Sequence, residues 1–524
     1  MSTAQSSAAV EDVDGAADRV LATLGRPLHE RATVAALETD GIRDVDAGRI
    51  APGCTDVFQL GRLVHARCLE RHDASPTRAA SRPARVGSPG WKKLARRYGR
   101  GLAYSLPMLV QGLALAVLHV SLWGSRSLSV DEQTAIGLAL VVSLIATGPA
   151  SQALTHRLYY YRYQEDLRAL QRTALRSLGL VAVSSAMLAT TVAIAVAAAG
   201  HAGPATAAFC VYLALQPMMW IANAALYAVR RSTLAALAIL LPTIMVAGGL
   251  RAGLSPLIVH AGGLLAADCV LVGVVVIVLR RRTRNASPAR RALPLALLPL
   301  AAGGYAAWGL VYFMLIFTDR LVAWLGGDPV AFHPAYEAAL QIALVPLVLA
   351  LPALEHVLVR FGELLEAASR RRNEEEATED RRHAVRIMSR YIAGVAFIYA
   401  VVALGLWMTV ARWPGWLPLG AGHLVEHGRA HDALGIALVA YGCFVVALGV
   451  GSAYQLLARP WPLVTVGVVA VACDLVVGIA ARSGGAPEQA AFGLLAGGVV
   501  FVVGMSAVWR HQRRRLDYLW FSAS

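Results

Sequence analysis

Nothing constrains this chain more than its twelve runs of roughly 20 apolar residues, which begin near Leu102 and continue almost to the C-terminus. They lie near 102–124, 133–152, 177–200, 205–228, 232–250, 257–279, 292–318, 336–358, 391–411, 433–455, 462–481 and 490–509. A helix of that length crosses the hydrocarbon layer with every backbone N–H and C=O satisfied internally, which few other structures achieve. Composition agrees: 57% of residues are hydrophobic, only 15% are charged, and mean hydropathy is +0.55. A soluble domain exposes more charge than this. The expected fold is therefore an all-α integral membrane protein of twelve transmembrane helices, six before and six after the basic break around Arg280–Arg291.

Charge placement orients the spans. From Trp91 onward, the loops on one side hold 29 Arg together with Lys92 and Lys93. The other side holds Arg126, Arg251, Arg320, Arg412, Arg429 and Arg482. The positive-inside rule then predicts cytoplasmic N- and C-termini in a multi-pass protein of the cytoplasmic (inner) membrane. The net charge of +15 is absorbed by this asymmetry, so no nucleic-acid partner is expected; the partner is the lipid bilayer. No cleavable signal peptide is legible before the first long apolar run.

The organisation expected along the chain has five parts. Residues 1–73 form a small cytoplasmic helical region, in which Val57, Leu60, Val64 and Cys68 fall on one helix face behind a Thr55-Asp56 cap. Residues 74–90 are a Pro/Ser/Ala linker, 91–279 an N-lobe of spans 1–6, 280–291 a basic inter-lobe loop, and 292–524 a C-lobe of spans 7–12. Spans 2 and 8 both run on into long Arg-rich segments, as an internal repeat of two six-helix halves would. None of the six cysteines makes a Cys-x-x-Cys pair, and no metal-ligand spacing, nucleotide-binding Gly loop or nucleophile–base arrangement is present. No cofactor and no enzymatic chemistry is expected, and energy must come from an ion gradient, a partner or the substrate itself.

Charges inside apolar runs are costly, which makes them the candidate functional residues. Asp268 lies near the middle of span 6, and no Lys or Arg stands deep in any span to neutralise it. Asp474 lies in span 11, towards the outer half. Both are candidates for coupling a cation gradient to transport; the alternative is a protonated acid bonded to a neighbouring helix. Asp319-Arg320 ends the run Ala301–Gly327, with Glu337 on span 8 at a similar depth, so the three suggest a translocation path or outer gate. Gln111, Gln216 and Asn223 are polar positions that either line a path or join helices.

Five local patterns follow one another along the chain: Thr147-Gly148-Pro149 with Arg157 and Tyr159, Trp220 before a basic turn, Asp319-Arg320 with Trp324, Pro346 with Glu355 on the next helix, and Leu516, Tyr518 and Phe521 in the tail. Together they resemble the Pel exopolysaccharide transporter family (PelG), itself similar to the flippases of the multidrug/oligosaccharidyl-lipid/polysaccharide superfamily. The chain departs from the family at Leu106-Pro107 and at the segment after Glu355, and residues before Trp91 have no counterpart in it. The resemblance implies a flippase-like fold and adds Glu355 to the path. It also implies export of an exopolysaccharide or lipid-linked glycan for biofilm formation, beside a cytosolic glycosyltransferase and other secretion subunits. Two alternatives stay open. One is a membrane glycosyltransferase using a lipid-phosphate sugar donor, for which Asp131-Glu132 in the first outer loop would be the catalytic acids. The other is a major-facilitator-type small-molecule carrier.

Overall fold

A computed structural model describes residues 12–24, 27, 29–73, 91–125, 127–201, 203–284, 298–325, 333–369, 374–416, 425, 428–483 and 485–513. The linker at 74–90, most of the basic inter-lobe loop and the tail residues Leu516, Tyr518 and Phe521 lie outside the described residues. The chain divides into two units, Met1–Gly90 with Val359–Ser389, and Trp91–Leu358 with Arg390–Ser524.

In the first unit, four helices follow one another: α1 (Val13–Leu24), α2 (Glu30–Thr39), α3 (Asp44–Ile50) and α4 (Val57–Asp73). The apolar face read from the sequence is the centre of this small core, with Leu60, Val64 and Cys68 buried against Ala17, Val20, Val34 and Leu37. Asp56 caps α4 by accepting from the Gln59 N–H at 2.8 Å. Ile42 and Ile50, which show no period in the sequence, flank and close the short α3, and both are buried in this core. Burial pushes the Cys68 thiol up to about 11, so it stays protonated and packs as a small apolar side chain. Arg67 and Arg71 of α4 both pair with Asp14 of α1 at the surface.

The second unit is the membrane bundle. Its first half comprises α5 (Trp91–Leu118), α6 (Val130–Tyr163), α7 (Leu167–Ala198), α8 (Pro204–Ala228), α9 (Ser232–Arg251) and α10 (Pro256–Thr283). The second half comprises α11 (Leu298–Leu325), α12 (Pro334–Ser369), α13 (Glu374–Arg412), α14 (Gly428–Leu456), α15 (Trp461–Arg482) and α16 (Ala491–Gln512), of which α12 and α13 extend into residues of the first unit. Eleven of these helices are long and apolar enough to cross a membrane, and α5 carries a shorter apolar stretch, Ser105–Leu115. Below, "inner" denotes the side where α5 begins.

Each half has a central helix and a peripheral one. In the first, α8 packs against α6, α7 and α10, and α9 against α5 and α10. In the second, α16 packs against α14, α15 and α11, and Tyr399 of α13 donates to the Leu438 carbonyl of α14 at 2.7 Å. The third helix of each half, α7 and α13, buries the same low share of its apolar window, 17%. Their exposed Leu180, Val183, Met187, Phe397, Ile398 and Val401 form lipid-facing surfaces. That correspondence is what an internal repeat produces. Pro107, Pro149, Pro217, Pro242, Pro346 and Pro352 all sit inside continuous helices, while the one non-helical residue in α11 is Ala302 (φ −132°, ψ 20°).

The halves meet along two seams, α6 against α11 and α5 against α12, which pair the second helix of one half with the first of the other. At the first seam Gly148 and Gly309 bring the two backbones together. A Cβ on Gly148 would stand 2.6 Å from the Gly309 carbonyl oxygen and 2.6 Å from the Phe313 ring. Further inward, His156 stacks on Tyr305 with centroids 3.9 Å apart. At the second seam, Tyr98 donates to the Leu349 carbonyl at 2.9 Å, and Gly101 faces Pro352 and Glu355. Counted along the helices, Gly148 and Leu349 stand near mid-height, and His156, Tyr305, Tyr98 and Gly101 lie in the inner half.

Candidate functional site: a buried charge cluster and a lone carboxyl

The outer end of α11 and the start of α12 place Asp319, Arg320, Tyr336 and Glu337 together. Arg320 Nε donates to Glu337 Oε2 at 3.2 Å, and its Nη1 donates to the Ile316 carbonyl at 2.7 Å. The same nitrogen stands 3.8 Å from Asp319 Oδ1. Tyr336 donates to Asp319 Oδ2 at 2.7 Å. The guanidinium lies 5.3 Å from the Phe317 ring centre, a cation–π contact. Asp319, Arg320 and Glu337 are 0%, 3% and 4% exposed. Trp324, which completes the Asp-Arg-x-x-x-Trp pattern, is buried beside Glu337, and Tyr441 of α14 is buried beside Arg320.

Asp474 joins this group from α15, where it is 1% exposed and within electrostatic reach of Asp319. Its carboxyl packs on α16 at Gly493, where a Cβ would come within 2.6 Å of Oδ1, so only glycine leaves room for the acid there. Among the described residues, neither Asp474 oxygen has a hydrogen-bond partner, nor does Asp319 Oδ1. Arg320 is thus held between Asp319 and Glu337, while Asp474 approaches the group through Asp319.

Asp268 sits in the other half, on the packed face of α10, 6% exposed, and neither oxygen has a partner. The sequence offers Asp268 and Asp474 as a pair for coupling; the structure places them in different lobes, each in its own surroundings. Glu355 belongs to neither group, standing at the α5–α12 seam beside Gly101. Asp131 and Glu132 stand in the first turn of α6. There Glu132 accepts from the Ser129 N–H at 2.8 Å and its own N–H donates to Ser129 Oγ at 3.2 Å, a capping box.

The Gly of the Thr-Gly-Pro pattern turns out to be the point of closest approach between lobes. Arg157 from the same pattern lies over the Tyr160 and Tyr161 rings at 4.4 and 4.7 Å. Among the described residues, no group of three or more His, Cys, Asp or Glu is arranged to hold a metal ion. Sequence reasoning missed Tyr336 and Tyr441, although Tyr336 directly precedes Glu337.

Together these features define an α-helical, multi-pass membrane protein built of two six-helix lobes, the architecture of MATE transporters. No family profile and no curated protein matches the sequence. Solved structures do match the fold. The Vibrio cholerae MATE transporter VcmN, as a mutant, aligns with TM-score 0.56 and 14% identity over 82% of this chain and 98% of that one. A multidrug resistance MATE family transporter of the MOP superfamily, in an inward-facing conformation, gives 0.51 and 15% over 84% and 98%. A MOP superfamily transporter from Pyrococcus furiosus gives 0.50 and 15% over 81% and 96%.

Proposed function

We propose that this protein is a flippase-like transporter that moves an exopolysaccharide or lipid-linked glycan outward across the cytoplasmic membrane, coupled to a cation gradient. The observation that carries transport is that two six-helix lobes meet along α6–α11 and α5–α12 while each lobe buries a carboxyl, Asp268 or Asp474, whose oxygens have no hydrogen-bond partner among the described residues. Seams of this kind can part as the lobes rock, and buried acids can load and release a cation as their exposure alternates. Arg320, held by Glu337 and Asp319, gates the outer end; Asp268 and Asp474 carry the coupling ion; Glu355 guards the inner seam. The glycan rests on the resemblance of Gly148, Asp319, Arg320 and Trp324 to the Pel transporter pattern, which also supplies a cytosolic glycosyltransferase and further secretion subunits as partners.

Against the enzyme alternative, one of its two candidate acids, Glu132, is engaged in capping α6, and the MATE architecture favours the flippase-like reading over a major-facilitator carrier. The test is a deletion strain complemented with the wild-type chain or with an Arg320→Ala chain. Polymer should accumulate inside and vanish from the surface without the wild-type protein. Unchanged surface polymer in the deletion strain would end the glycan reading.

A further inference from the structure

At the inner side of the first lobe, the ends of several helices gather. There α6 stops at Tyr163 and α7 starts at Leu167, α8 stops at Ala228 and α9 starts at Ser232, and α10 stops at Thr283. Side chains tie these ends together. Arg162 Nη1 of α6 donates to the Ala228 carbonyl of α8 at 2.9 Å, and Thr283 Oγ1 of α10 donates to Gln171 Oε1 of α7 at 2.8 Å. The turn between α8 and α9 is held by its own backbone: the N–H groups of Arg230 and Arg231 donate to the Tyr227 and Leu226 carbonyls, each at 2.9 Å. Arg230 takes the left-handed conformation (φ 56°) that glycine ordinarily fills at a helix C-terminus. Arg231 is thereby fixed three residues beyond the carbonyl that holds Arg162.

Arg282, the residue before Thr283, is within electrostatic reach of both Arg231 and Arg162, and among the described residues no carboxylate offsets them there. The acids of the nearby α6–α7 turn are placed otherwise: Asp166 caps α7 by accepting from the Ala169 N–H at 2.9 Å, and Glu165 is exposed. The positive-inside rule asks only that arginines stand on this side; it does not ask three of them, from three separate elements, to converge. The carbonyl ends of α6, α8 and α10 offset part of the repulsion, and an anion would relieve the rest. Depth narrows the choice of anion. Arg282 is three residues past Leu279, about 5 Å along the helix from the end of the apolar run. Tyr160 and Tyr163 are exposed at the end of α6, and the Arg162 guanidinium lies 6.0 Å from the Tyr159 ring centre. Tyrosines of this kind mark headgroup level, the layer of lipid phosphates.

We propose that Arg162, Arg231 and Arg282 form a binding site for a phosphoryl group at the inner face of the N-lobe. Planar guanidiniums from three elements present paired N–H donors to several oxygens of one tetrahedral anion. The phosphoryl group belongs either to the headgroup of an anionic phospholipid or to free phosphate. Bound there, it ties together the inner ends of α6, α8 and α10 and so stabilises the lobe. The site is separate from Asp268 and from the Arg320 cluster, and it requires no glycan.

The test uses the full chain purified in detergent, with phosphatidylglycerol, phosphatidylcholine and inorganic phosphate as probes. Lipid binding is read by native mass spectrometry, and phosphate binding by the rise in thermal unfolding temperature. A headgroup site should hold phosphatidylglycerol more tightly than phosphatidylcholine and ignore inorganic phosphate; a free-phosphate site should show the thermal rise with phosphate. For whichever probe binds, Arg231→Gln with Arg282→Gln should weaken binding about thirtyfold, roughly fivefold for each charge removed. Arg162 is left in place because it joins α6 to α8. The control pair Arg510→Gln with Arg513→Gln, which removes two charges at the inner end of α16, should leave binding almost unchanged. Arg231→Lys with Arg282→Lys keeps the charge and should lose less than the Gln pair. Equal binding in the cluster and control pairs, equal loss in the Gln and Lys pairs, or no preference for either phosphate-bearing probe over phosphatidylcholine would overturn the site. Because binding is read rather than transport, these failures are distinct from a failure of the glycan reading.

Discussion

The two lobes bury acid in opposite ways. In the C-lobe, Asp319 and Glu337 flank a guanidinium, with Asp474 within reach of Asp319, and Tyr336 and Tyr441 add hydroxyls beside them. In the N-lobe, the buried Asp268 has neither a hydrogen-bond partner nor an ion pair among the described residues. The paired Arg320 resists change, since breaking a buried ion pair strands a charge. A lone carboxyl has nothing to lose but its proton. On the proposed function, locking falls to the C-lobe cluster and ion exchange chiefly to Asp268, with Asp474, the least engaged of the three C-lobe acids, taking part.

That difference can be broken most forcefully at Arg320. Arg320→Ala removes the cation held between Asp319 and Glu337 and should cost about 3–5 kcal/mol of stability, read as a large fall in the thermal unfolding temperature together with loss of export. Recovery in the double variant Arg320→Glu with Glu337→Arg would show that the pair acts as a lock; normal stability and export in Arg320→Ala would show that it does not.

A smaller effect is expected at the seam. Gly148→Leu overpacks the contact with Gly309 at about 1–3 kcal/mol, enough to shift the lobe equilibrium by about tenfold or more. Transport should drop while abundance is kept. Crosslinking between cysteines placed by His156→Cys and Tyr305→Cys should fall in the same variant, and unchanged crosslinking would remove the seam from the account.

Smaller again, Tyr336→Phe deletes one hydrogen bond to Asp319, at about 1–3 kcal/mol. It should lower thermal stability without abolishing export, whereas complete loss of export would give the hydroxyl a direct part in transport.

The least effect belongs to the N-terminal helices. The hydrogen bond from Arg67, with Arg71 nearby, holds the Asp14 carboxyl below its ordinary value. Its contribution is therefore full above the ordinary aspartate range and is lost as pH falls through the lowered folded value. Hydrogen exchange in α1 should quicken slightly on acidification in the wild-type chain and less so in Asp14→Asn. An equal acceleration in both would mean the pairing adds nothing.

How much of this the sequence displayed follows from what a helix encodes. Position along a helix converts directly into depth, so Arg320 and Glu337 were legible as neighbours in depth, and they meet at 3.2 Å. Rotation about the axis and helix order are tertiary facts. Hence the approach of Asp474 to Asp319 and the meeting of Gly148 with Gly309 could not be read from spacing. Gln111 was legible as a helix-joining residue, which its bond to Thr243 bears out. Its acceptance of the Leu122 N–H at 2.7 Å was not, because the two-residue strands on either side of Leu122 leave no periodic signal. The α3 helix escaped for a related reason, being only 7 residues long.

The most direct test of the division between a locking lobe and an exchanging lobe is the gradient dependence of transport in Asp268→Asn. The substitution keeps size and hydrogen-bonding capacity and removes only the titration. In sealed vesicles with an imposed proton or sodium gradient, the account predicts a protein of wild-type abundance and fold whose transport no longer responds to the gradient. Transport that responds to the gradient as the wild type does would contradict it and leave Asp268 as a buried structural acid.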